Sequence, residues 1–205
     1  MPAPEARRVG QHALLLECGS TDAVRAVHAA ALERREAGLL RCVDVVPGAT
    51  TVLLDGVASP EEVRSGLGGW ELRPVADLER RVVELPTAYD GPDLEDVARL
   101  SGLDVDGLVA RHRAAELVVA FCGFAPGFAY LAGLPAELHV PRRDEPRSRV
   151  PQGAVGLAGE FCGVYPRSSP GGWQLVGRTE VSLWDAARDE PALLLPGTTV
   201  RFTGA

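Results

Sequence analysis

Between Phe121 and Gly172, 16 of 52 residues are glycine or proline, against 39 in the whole 205-residue chain. Such a stretch cannot run as a packed helix. Glycine releases the backbone to positive φ, and proline fixes φ and removes a donor. Interleaved with aromatics and arginines, this composition predicts loops of fixed shape, carried on a rigid scaffold around a bound group.

The scaffold is legible on either side. ELVVAFCG, AVGLAGEF, WQLVGRTE and PALLLPGTTVRFTG are short β-rich pieces separated by Gly/Pro turns, the pattern of a barrel or sandwich. The first 75 residues read differently. HALLLEC predicts a strand, and Ser20 or Thr21 caps a helix whose Val24, Val27, Ala31 and Leu32 share a face and which Gly38 ends. LLRCVDVV and TTVLLDG flank Pro47-Gly48-Ala49 as a hairpin. Ser59-Pro60-Glu61-Glu62 starts a second helix, and WELRPV closes the set as a strand. That order, β-α-β-β-α-β, is the ferredoxin-like split unit. With ADLERR (76–81) as a polar junction, the expectation is α+β: a ferredoxin-like domain over 1–80, then a β-barrel domain over 81–205.

Composition removes several function classes. A net charge of −7 opposes broad nucleic-acid binding. DLEDVARLSGLDVDGLVARHR resembles a helix-turn-helix, but its second helix opens on Asp104-Val105-Asp106, which would repel phosphates. All 21 basic residues are arginine, so a Walker-A lysine and a Schiff-base amine are excluded. Any anion is held by arginine forks or backbone N–H groups. Cys18, Cys42, Cys122 and Cys162 form no ligand-spaced pair, which suits free thiols in a reducing cytoplasm and predicts no metal site. The uncharged run Leu117–Leu134 contains Pro126 and three glycines. It reads as a buried strand entering a turn rather than a membrane span.

Three motifs then occur in order: GFAPGFAYLAGLP, VPRRDEPRSRVPQGAVGLAG and GVYPRSSPGGWQLVGRT. Together they resemble the family of allophanate hydrolase subunit 1 and the B subunit of bacterial 5-oxoprolinase. That family includes inhibitors of a sporulation histidine kinase and is similar to part of the carboxyltransferase region of urea carboxylase. The resemblance implies a cyclophilin-like barrel as the second domain. It implies ATP-dependent opening of 5-oxo-L-proline to glutamate. The partners it implies are a homologous C subunit, similar to allophanate hydrolase subunit 2, and a third, A subunit. The alternatives are a protein inhibitor of a sensor histidine kinase and allophanate hydrolysis without ATP. Cys162 stands where the family commonly has threonine, and Glu180 where it has proline.

Within these motifs, Arg142 and Arg147 on a proline-stiffened loop are a candidate pair of guanidinium forks. The alternative is salt bridging to Asp144 and Glu145 or to a partner, while Arg143 and Arg149 read as solvated. Arg178 follows a predicted strand and could reach the same pocket. His112 is a candidate proton carrier, or else a helix C-terminal residue that suits the dipole. Tyr165, Ser168, Ser169, Gly171, Gly172 and Trp173 form a candidate ligand loop, with glycine N–H groups as donors. Phe124, Pro126, Gly127, Phe128 and Tyr130 are expected to wall the pocket or to form a dry contact with the partner.

Overall fold

A computed structural model describes residues 3–73 and 81–204. The chain divides into two compact units, residues 1–79 and 80–205.

In the first unit, β1 (Glu5–Val9), β2 (Ala13–Glu17), β3 (Asp44–Pro47) and β4 (Thr51–Asp55) form an antiparallel sheet in the order β1-β2-β4-β3. Leu14 and Leu16 on β2 and Val52 and Leu54 on β4 alternate onto one face and are fully buried, as a two-residue period requires. Helix α1 (Thr21–Glu36) lays Val24, Val27, Ala30 and Ala31 into the same core. Ser20 caps it, its Oγ accepting the Ala23 N–H at 3.2 Å. Gly38, with φ +71°, follows its end. The Pro47-Gly48 hairpin closes through the Gly48 N–H and the Thr51 carbonyl at 2.7 Å. Helix α2 (Pro60–Gly66) starts where the proline predicts, but Ser59 makes no side-chain cap bond.

The expected ferredoxin-like order is corrected at one edge. Residues 71–73 of WELRPV are not a strand, and 74–75 lie outside the described residues. The edge beside β2 is held instead by β1, antiparallel over Glu5–Val9. Its EARRV sequence has one partly buried side chain, Ala6, so hydrophobic patterning gave no sign of it.

In the second unit, β5 (Val82–Thr87), β6 (Leu117–Cys122), β7 (Ala129–Ala132), β9 (Ala154–Ala158), β10 (Phe161–Val164), β12 (Gln174–Arg178) and β13 (Thr199–Gly204) form one sheet. Its order is β12-β9-β10-β7-β6-β13-β5. The sheet curls until its ends meet. Just past β5, Ala88 exchanges both backbone hydrogen bonds with Arg178 at 2.9 Å, and the Gly91 N–H reaches the Val176 carbonyl. The result is a barrel-like sheet in which edges are removed by closure. Every residue of β9 is buried. β8 (Arg147–Val150) and β11 (Ser169–Gly171) make a separate two-stranded ribbon.

The run Leu117–Leu134 is a buried strand, a turn and a second strand. No helix among the described residues is long and apolar enough to cross a membrane. The two helices that resemble a helix-turn-helix, α3 (Leu94–Leu100) and α4 (Val105–Ala114), turn Leu94, Val97, Ala98 and Leu108 into the barrel core.

Closure needs a residue without a side chain at Gly177. A Cβ there would stand 2.5 Å from the Ala88 carbonyl oxygen. Gly177→Ala is therefore expected to destabilise the barrel by about 1–3 kcal/mol, as overpacking does. Hydrogen exchange checks this: the Ala88 and Arg178 amides should lose protection while β9 keeps its own.

Candidate functional site

The Gly/Pro-rich block folds into a recess of about 100 Å³ lined by Phe124, Phe128, Tyr130, Arg142, Tyr165, Gly171, Gly172 and Trp173. Phe128 is its centre. Its ring lies 5.3 Å from Phe124, 5.4 Å from Tyr165 and 5.4 Å from Trp173, all edge to face. That geometry sets positive ring edges against negative faces. Tyr130 completes the wall, 5.6 Å from Trp173, and stacks at its back on Phe121 at 4.3 Å. A Cβ on Gly171 would run into the Tyr165 hydroxyl, so glycine there is what lets the tyrosine reach the recess. Burial pushes the Tyr165 phenol above its ordinary range. It stays a neutral hydroxyl, able to donate to a ligand oxygen.

The rim is set by two consecutive turns. The Ala125 N–H bonds to the Gly123 carbonyl at 2.7 Å across Phe124, whose φ is +65°. This is a γ-turn, a tight and strained form. The Phe128 N–H then bonds to the Ala125 carbonyl at 2.9 Å across Pro126-Gly127, where Gly127 supplies φ +82°. Pro126 and Gly127 thus do not line the recess; they hold Phe124 over it. Among non-glycine described residues only Phe124 has positive φ, and it is 61% exposed.

The arginines divide into two kinds. Arg142 is exposed at the recess and has no hydrogen-bond or ion-pair partner among the described residues. Arg147 is committed elsewhere: its Nη2 donates to Asp93 Oδ1 at 2.7 Å, beside Arg143 Nη1 at 2.9 Å. Arg143 is therefore not solvated, and the acid that meets the loop is Asp93 rather than Asp144 or Glu145. Arg149 is exposed and donates from Nε to Ser168 Oγ at 3.1 Å. A shallower depression of about 490 Å³ adjoins the recess, sharing Arg142 and bordered by Arg99, Arg143, Asp144 and Glu145 among others.

Several predicted residues fall outside the recess. Arg178 lies exposed on β12, its Nε donating to Asp90 at 2.9 Å and its Nη1 to Glu180 at 3.1 Å. Ser168 is exposed, and Ser169 sits on β11 with its Oγ buried and without a hydrogen-bond partner among the described residues. His112 is 1% exposed in the last turn of α4. Its Nδ1 meets the Tyr89 hydroxyl at 2.8 Å and its Nε2 meets Cys162 Sγ at 3.4 Å. Either neutral tautomer satisfies both contacts. Burial lowers the His112 pKa to about 4 and raises the Cys162 thiol well above its ordinary value. The two are a neutral pair in the barrel interior, not an activated nucleophile.

The residues missed by sequence reading are Asp93, Tyr89 and the structural role of Arg143. Asp93 directly precedes helix α3, and its arginine partners lie 50 or more positions away, beyond any local spacing signal.

Residues 4–194 match the carboxyltransferase domain, subdomain C and D. The chain is 52% identical over 136 residues to the 5-oxoprolinase B subunit of Escherichia coli O157:H7, covering 65% of this chain and 62% of that one. It is 38% identical over 196 residues to the 5-oxoprolinase B subunit of Bacillus subtilis (strain 168), covering 86% and 81%. Among solved structures, that of TTHA0988 superposes with a TM-score of 0.78 at 37% identity, over 94% of this chain and 39% of that one. The chain thus spans less than two thirds of the Escherichia coli relative and of TTHA0988.

His112 carries a pH dependence. It is neutral in the fold down to about pH 4, but protonates near 6.5 once unfolded. Its contribution is complete above pH 6.5 and is lost as pH falls from there to 4, each unit of separation being worth about 1.4 kcal/mol. Urea denaturation across that window should show the fall, and His112→Gln should flatten it.

Proposed function

The chain belongs to the carboxyltransferase-domain family of subdomains C and D, and from that premise we propose that it is the B subunit of a 5-oxoprolinase. In this reading 5-oxo-L-proline, ATP and two waters give L-glutamate, ADP and phosphate. The names of the bacterial relatives support the activity. The observation that carries it to a place on this chain is the recess: apolar rings enclosing a small volume, with one unpaired guanidinium at its rim.

A five-membered lactam with a carboxylate has the two faces this recess recognises. The ring packs among Phe128, Tyr130 and Trp173, and the carboxylate meets Arg142 as a charge-assisted pair. The Tyr165 O–H and the N–H groups of the Gly171-Gly172 segment are donors for oxygen that gains negative charge when the ring amide is attacked. His112, Arg147 and Arg178 do not line the recess and take no part in this scheme.

ATP, when bound in the assembly, supplies the phosphoryl group that makes the lactam oxygen a leaving group. A recess of about 100 Å³ is below the roughly 300–1,000 Å³ of pockets for drug-sized ligands. The nucleotide therefore lies outside the recess, in the adjoining depression or on a partner subunit. The partners are the homologous C subunit, which is similar to allophanate hydrolase subunit 2, and the A subunit. This chain alone is expected to turn nothing over. TTHA0988, in which this fold is 39% of one longer chain, supports work in a larger assembly. Four free thiols suit the cytoplasm.

The test is reconstitution with the A and C subunits, following glutamate and ADP. Arg142→Ala should raise KM for 5-oxo-L-proline by about 10–100-fold, the range for losing a hydrogen bond to a charged group. Full activity without this chain overturns the proposal. Stoichiometric binding to a sensor histidine kinase with no glutamate release would replace it with the inhibitor reading.

A further inference from the structure

Asp93 begins helix α3, yet its carboxylate makes no cap bond to that helix. It is 2% exposed and faces the other way. Oδ1 accepts from Arg143 Nη1 at 2.9 Å and Arg147 Nη2 at 2.7 Å, and Oδ2 accepts the Leu175 N–H at 2.7 Å. Each of these donors is attached to a wall of the recess. Arg143 follows Arg142, and its own backbone N–H donates to the Gly172 carbonyl at 2.8 Å. Arg147 stands opposite Gly171 in the β8–β11 pairing. Leu175 lies two residues beyond Trp173. The bonds to Arg143 and Arg147 thereby hold the loop of Arg142, while the bond to the Leu175 N–H, which an asparagine carbonyl can keep, holds the Trp173 side.

Donors outnumber acceptors at the buried carboxylate. Two guanidinium groups, with side chains 34% and 22% exposed, share one buried carboxylate. Arg143 Nε and Arg147 Nη1 are buried and have no hydrogen-bond partner among the described residues. Over the whole loop the exposed Asp144 and Glu145, with Asp93, offset Arg142, Arg143 and Arg147, so recognition of an anion depends on where the unpaired Arg142 guanidinium is held.

We propose that Asp93 is a positioning residue for Arg142. Acting through Arg143 and Arg147, it holds the guanidinium of the recess where a ligand carboxylate binds. The proposal rests on the reading of the recess as the 5-oxo-L-proline site. It differs from a purely structural role in one respect: it acts on the carboxylate of the ligand and not on the ring.

The assembled enzyme tests this with two ligands, 5-oxo-L-proline as substrate and 2-pyrrolidinone, the same ring without a carboxylate, as competitive inhibitor. Asp93→Asn keeps the shape and removes the charge. It should raise KM about tenfold, as misplacing one charge-assisted contact does, with kcat within about twofold and the 2-pyrrolidinone Ki unchanged. Arg143→Gln, the milder variant should Asp93→Asn not fold, should raise KM about threefold with the same unchanged Ki. KM and Ki rising together, or neither moving, would overturn the proposal. If Arg142→Ala leaves KM unchanged, the reading of the recess fails. The positioning claim is then decided by the NMR signal of the Arg142 Nε–H, which Asp93→Asn must shift while the Trp173 indole signal stays in place; an unmoved Arg142 signal overturns it.

Discussion

A carboxylate with 2% exposure is costly unless it is surrounded by donors, and Asp93 has three within 2.9 Å. Removing a partner of such a group leaves its buried charge less compensated, which destabilises the fold. That constraint organises the second unit. The segment from Ala88 to Asp93 runs along β12, bonded at Ala88, Gly91 and Asp93 to Arg178, Val176 and Leu175. The seam that closes the barrel therefore ends on the residue that anchors the arginine loop. Closure and site geometry share one set of bonds.

The absence of lysine shapes how this can be done. A lysine ammonium offers one compact point of charge, whereas an arginine fork can give one nitrogen to a buried acid and keep others for a different partner. Arg143 and Arg147 each spend one amino group on Asp93. The arginines also split by depth: the two that hold Asp93 are half-buried, while Arg142 and Arg178 are exposed. Only Arg142 of these borders the aromatic recess.

Much of this was legible in the sequence because it is local. Gly/Pro density located the recess, and eight of the residues singled out for it do line it, since turns and the side chains beside them are encoded within a few positions. β2, β3, β4, β6, β9, β12 and β13 overlap stretches predicted from strand-like composition and turn signals. What failed was long-range. Arg147, Arg143 and Asp93 are joined across 50 or more residues, and His112 meets Cys162 across 50. Nothing in the spacing of Phe-Cys-Gly indicates that its thiol faces an imidazole. The edge strand Glu5–Val9 was hidden for another reason. An edge strand with one covered face needs little apolar pattern, because backbone pairing does most of the work.

Phe124 brings these threads together. A phenylalanine in left-handed backbone costs on the order of 1–3 kcal/mol, and at 61% exposure it recovers little of that by burial. The turn bonds around it, with Pro126 fixing φ and Gly127 packed against Leu183 and Trp184, hold the ring by its edge-to-face contact with Phe128 and leave the rest of it open. A chain selected only for stability would place glycine or asparagine there. Strain kept beside an open aromatic recess and an unpaired arginine is consistent with a surface made ready in advance. The cost is met in folding, so a ligand or partner that covers the ring gains its full burial on binding.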